Sequence, residues 1–134
     1  MSGYDLHPEA FRDIDEIAAY IGQDSPEAAH RVVDEIYHAL GALIPFPHRG
    51  HRRTDLTSRP LRFIRVRDYL IAYAPDENPL WVIAVMHGHR DPRVMAAVLR
   101  DREQDPGFFA PNKTAPRAAG RSLFGLNNWN VEPG

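Results

Sequence analysis

The sequence predicts an α+β domain in which an N-terminal helical hairpin packs on an antiparallel β-sheet and a short C-terminal helix follows. Three observations carry this. Apolar residues recur at helical spacing from Phe11 to Leu43, three runs rich in β-branched and aromatic residues occupy positions 61–86, and the links between those runs are short. The chain has 134 residues, 43% of them hydrophobic and 25% charged, so it can build one core but not two.

Tyr4-Asp5-Leu6 is a candidate short strand ahead of the first helix, which Pro8 opens because a first-turn position needs no N–H. Phe11, Ile14, Ile17, Ala18 and Ile21 form its apolar stripe, and Gly22 stops it. Ser25-Pro26-Glu27 starts the second helix, with a capping hydroxyl, a first-turn proline and an acid at the positive end of the helix dipole. Its stripe is Ala29, Val32, Val33, Ile36, Tyr37, Leu40 and Leu43, ending before Pro45. Helices this closely linked must form an antiparallel hairpin. Pro45-Phe46-Pro47-His48-Arg49-Gly50 is read as a loop, since two prolines and a glycine remove donors and restrict the backbone.

Residues 61–66, 69–73 and 81–86 are read as three strands. The links Arg67-Asp68 and Pro75 to Pro79 are too short for a parallel crossover, so the strands form a meander. In the last strand Trp81, Ile83 and Val85 should share one face, and Val82, Ala84 and Met86 the other. One face meets the hairpin; the other is either a groove for a partner or the seat of a C-terminal helix. That helix starts at Asp91-Pro92 and turns Val94, Met95, Val98 and Leu99 inward. The folded domain is thus assigned to residues 1–104. Residues 105–134, interrupted by Pro106, Gly107, Pro111, Pro116, Gly120, Gly125 and Pro133, are expected to be an irregular, flexible tail. Phe108, Phe109, Leu123, Phe124 and Trp129 are the residues able to dock it.

Composition narrows the function. With no cysteine there is no disulfide framework, thiolate zinc site or cysteine nucleophile, and no apolar run approaches the ~18 residues of a membrane span. A cytoplasmic protein without membrane contact is expected. The net charge of -2 conceals an asymmetry: nine acids against two arginines up to Tyr37, then seven arginines against Asp55 between His48 and Arg67. The basic stretch either faces an acidic partner, nucleic acid or protein, or neutralises the acidic helices.

The order of elements, with Ser25-Pro26-Glu27-Ala28-Ala29, Leu61-Arg62, Val66-x-x-Tyr69-Leu70-Ile71-Ala72-Tyr73 and Val85-Met86-His87-Gly88-His89-Arg90-Asp91, resembles the ParE branch of the RelE/ParE superfamily of bacterial toxins, also called plasmid stabilisation proteins. The resemblance spans residues 4 to 103. It implies the toxin of a type II toxin-antitoxin system, held by a cognate antitoxin in a hetero-oligomer, with DNA gyrase as target and no cofactor. A RelE-like member would instead cut mRNA in the ribosome. Antitoxin contact is expected at Arg49, Arg52, Arg53, Arg62 and Arg65.

Binding requires no catalytic residue. For a nuclease, His87 would act as acid or base while Arg62, Arg65 and Arg90 hold the phosphorane charge. RelE-like nucleases draw on lysines or on a glutamate, arginine and histidine set; here Lys113 is the one lysine and lies in the tail, and no glutamate accompanies the arginine strand. His87 can equally be a strand-end residue bonding its own loop. His87 and His89 share a strand face, but His48 and His51 sit in a loop without a carboxylate motif, so no metal site is assigned. Tyr69 and Tyr73 are either base-stacking platforms or packed tyrosines with wet hydroxyls.

Overall fold

The computed structural model describes residues 3–103; the tail assigned to 105–134 lies outside the described residues. The elements run β1 (Tyr4–Leu6), α1 (Pro8–Gly22), α2 (Pro26–Leu43), a 3-10 turn (Pro47–Arg49), β2 (Arg62–Val66), β3 (Tyr69–Ala74), β4 (Leu80–His87) and α3 (Pro92–Glu103). The fold is therefore the expected α+β arrangement. The segment read as a plain loop does hold one helical turn, which a proline at its first position favours.

The helix starts follow local chemistry. The Ser25 hydroxyl accepts from the Ala28 N–H at 3.1 Å, as the capping residue should. At α1 the same role falls to a buried histidine: His7 Nδ1 accepts from the Glu9 N–H at 3.0 Å.

Sheet order is β1-β4-β3-β2. The meander β2-β3-β4 is antiparallel, with Arg67 in the left-handed region (φ 53°) at the tight β2–β3 turn. β1 pairs parallel with β4, Tyr4 opposite Leu80 and Leu6 opposite Val82, so the sheet is mixed rather than purely antiparallel. The parallel pair is possible because the whole α-hairpin and meander lie between the two strands.

Each sheet face has its own core. One joins the hairpin residues Ala10, Ile14, Val33, Ile36, Leu40 and Leu43 to Ile71, Tyr73, Val82 and Val85. The other joins Leu56, Leu61, Phe63, Leu70, Trp81, Ile83 and Met86 to Met95 and Leu99. The second face is thus the seat of α3, the helical alternative of the two left open above. Strict alternation along β4 fails at one point. Ala72 faces Ala84 while Tyr73 faces Val82, leaving Ile83 as an extra residue. This bulge turns Ile83 and Ala84 towards the same core and sends Val85 to the hairpin side, so Val85 does not share the face of Trp81 and Ile83.

Candidate functional site

The basic loop is built around one buried tyrosine. Tyr73 is fully buried, and its hydroxyl donates to the Pro47 carbonyl at 2.7 Å while accepting from the Gly50 N–H at 3.0 Å. Arg62 Nη1 donates to the Gly50 carbonyl at 2.8 Å. One residue on, His51 and Phe63 exchange both backbone hydrogen bonds, at 2.9 and 2.8 Å, which ties the loop to the outer edge of β2. Gly50 is required sterically: a Cβ there would stand 2.6 Å from the Tyr73 hydroxyl and 2.8 Å from the Phe63 carbonyl. Tyr73 is therefore an anchor and not a base-stacking platform, and burial raises its phenol above the ordinary value.

The five arginines expected at an antitoxin contact divide by what they already hold. Arg53 forms a two-pronged pair with Asp55, Nε to Oδ1 at 2.9 Å and Nη2 to Oδ2 at 2.8 Å, and this hydrogen bonding holds the Asp55 carboxyl below its usual range. Arg62 is committed to Gly50. The side chains of Arg49, Arg52 and Arg65 have no hydrogen-bond or ion-pair partner among the described residues, and all three are exposed. Arg65 lies against Gly88, where an added Cβ would approach its guanidinium nitrogens to 3.0 and 3.2 Å. Arg49, Arg53, Arg65 and His51 line a groove of about 530 Å³ along β2, whose apolar floor comes from Ala39, Ala42, Leu43, Phe63, Ile64, Val66 and Leu70. Among the described residues no carboxylate lines it. Neutralisation between chain halves is local, with Arg67 Nε on Glu35 Oε1 at 2.6 Å as the pair that joins α2 to the arginine stretch among the described residues.

The residues expected of a nuclease are brought together only in part. His87 and Arg90 share a second cleft of about 310 Å³, with Asp13, Glu16, Ile17 and Tyr20 from α1 and Tyr69, Val85 and Met86 from the sheet. Arg65 does not line that cleft but lies against Gly88, the residue after His87, whereas Arg62 is at the opposite end of β2. His87 behaves partly as a loop-bonding residue. Its Nδ1 accepts weakly from the His89 N–H at 3.4 Å, its carbonyl accepts from Arg90 N–H at 3.0 Å, and its ring meets Tyr69 edge-on at 5.4 Å. His48 is bonded to Asp76 at 3.0 Å instead of joining His87 and His89.

One residue of this cleft escaped sequence reasoning. No glutamate accompanies the arginine strand, but Glu16 reaches the cleft from α1. The available signal was the spacing Asp13, Glu16, Ile17, Tyr20, which puts all four on one helical face. Tyr20 is 74% exposed, unusual for so large a ring.

Among the described residues no helix is long and apolar enough to cross a membrane. Residues 4–92 match the family described as ParE toxin of type II toxin-antitoxin system, parDE, a span that ends where α3 begins. The chain is also similar to a protein of Sinorhizobium fredii (strain NBRC 101917 / NGR234) named "Putative toxin Y4kP", at 37% identity over 87 residues, covering 64% of this chain and 88% of the relative.

Proposed function

The chain belongs to the ParE toxin family of type II toxin-antitoxin systems, and on that premise we propose that it acts by binding: it inhibits DNA gyrase in the cytoplasm without a cofactor and is neutralised by an antitoxin whose acidic segment occupies the β2 groove. The observation that carries the antitoxin part is the set of arginines Arg49, Arg52 and Arg65, unpartnered among the described residues, with Arg49 and Arg65 lining a groove to which no described carboxylate contributes. Arg53 and Arg62 then shape the loop rather than receive the partner, because their guanidinium groups are already bonded. Exposed charge pairs are screened over ~8 Å at physiological salt, so these arginines act mainly on association rate, while apolar contacts in the groove floor hold the complex.

Separation of Arg62 from His87, at the far end of β2, favours binding over catalysis. One observation favours the nuclease reading: Glu16, His87 and Arg90 line a single cleft, so a carboxylate, an imidazole and a guanidinium are available together. The two readings part in one experiment. The purified chain should block gyrase supercoiling, accumulate cleaved DNA and leave mRNA intact in a translating extract. Ribosome-dependent mRNA cutting that falls ~10²-fold or more in His87→Ala, with the fold retained, would replace the binding reading. For the antitoxin, Arg49→Ala with Arg52→Ala and Arg65→Ala should slow association and flatten its salt dependence, and unchanged rates at all salts would remove the arginines from that contact.

A further inference from the structure

β1 covers only part of β4. Its three residues pair with Leu80 to Val82, yet β4 continues to His87, so among the described residues the outer edge from Ile83 onwards has no neighbouring strand. Side chains stand in for one. Arg102, from the last turn of α3, donates Nη1 to the Ile83 carbonyl at 2.9 Å. Asp13, from α1, accepts the Val85 N–H on Oδ2 at 2.9 Å. The two then bind each other through two hydrogen bonds, Nη1 to Oδ2 at 2.7 Å and Nη2 to Oδ1 at 3.1 Å, with side-chain exposures of only 13% and 17%. An acceptor and a donor are thus presented to the strand edge at the positions where a neighbouring backbone would present them, by helices that lie on opposite faces of the sheet.

We propose that the outer edge of β4 is a masked strand-pairing site, that the Asp13–Arg102 pair is the mask, and that the occupant it excludes is a second copy of this chain. Two features point to self-pairing. The edge segment Ile83-Ala84-Val85-Met86 is uncharged, free of proline and rich in β-forming residues, the composition that invites edge-to-edge pairing when exposed. Beside it, Glu16 and Arg90 line one cleft, and neither side chain has a partner among the described residues. A patch with one free acid and one free base is complementary to itself across a two-fold axis, which gives a closed dimer rather than a filament.

The test compares the wild-type chain with Asp13→Ala/Arg102→Ala, which removes both charges so that neither is left buried alone. Wild type should scatter light as a monomer, with a Val85 amide exchange rate independent of protein concentration. The double variant should scatter as a dimer, its Val85 amide exchanging about tenfold faster or more when dilute and slowing as concentration rises. Adding Arg90→Glu, which leaves the patch with acids and no guanidinium, should return it to monomer. A folded double variant that stays monomeric at every concentration overturns the proposal, and so does a wild-type chain already dimeric through this edge. Should the double variant fail to fold, Arg102→Lys, which keeps the charge but lacks the second arm, is scored by the same concentration dependence.

Discussion

Replacing Tyr73 with Phe removes one oxygen and, with it, the centre of the basic loop. The ring stays in place, so no cavity beyond the hydroxyl forms. What is lost is the acceptor for the Gly50 N–H and the donor to the Pro47 carbonyl. Gly50 is buried, and a buried donor without a partner costs about 1–3 kcal/mol. Pro47 is only half-buried, and its carbonyl can turn to water for less. The loop is a surface segment able to relax, so the sum should fall in the lower part of that range, about 1–2 kcal/mol. For a domain this small, that corresponds to a melting temperature lowered by roughly 4–16 °C. The arginines of the loop lose their fixed placement as well, so antitoxin association should slow although no arginine has changed. Thermal unfolding followed by circular dichroism, amide exchange at Gly50, and stopped-flow association measure the three consequences. A melting point within about 1 °C of wild type together with a still-protected Gly50 amide would refute the anchoring role.

Gly50→Ala attacks the same joint by crowding; its Cβ meets backbone as well as the tyrosine, so a loss of about 1–3 kcal/mol is expected in denaturant unfolding, relieved in part by Tyr73→Phe on the same chain. Leu99→Ala empties a fully buried position under α3 and should cost about 2–5 kcal/mol by the same measurement, against which an intact melting point would mean that α3 is not part of the cooperative unit. Glu35→Gln should show its effect only on one side of the pH scale. The hydrogen bond from Arg67 lowers the Glu35 carboxyl below its ordinary value of 4.5, so its contribution to stability is present above that value and is lost as pH falls through the lower folded-state value. Melting curves of wild type and variant should therefore differ at neutral pH and converge in acid; a gap that widens in acid would reverse the assignment.

Local chemistry made much of the fold legible. The stripes of α1 and α2 need only 3.6-residue spacing, the Ser25 cap needs only its hydroxyl three residues from an N–H, and the short links of the meander leave antiparallel pairing as the one solution. The ParE resemblance rests on the same local pieces and covers the matched residues 4–92. The arginine cluster was equally visible as composition. Which of its members are free was not, because Arg62 is claimed by a carbonyl twelve residues away, while Arg53 is held by Asp55 two residues on. Periodicity also failed at Ile83, where one added residue reverses the faces of the strand beyond it and no composition marks the spot. Tertiary structure alone set Glu16 beside His87 and Arg90, and Arg102 across 89 positions from Asp13. These contacts depend on how the hairpin and α3 lie across the sheet, a geometry decided by the packing of two cores rather than by any stretch of neighbouring residues.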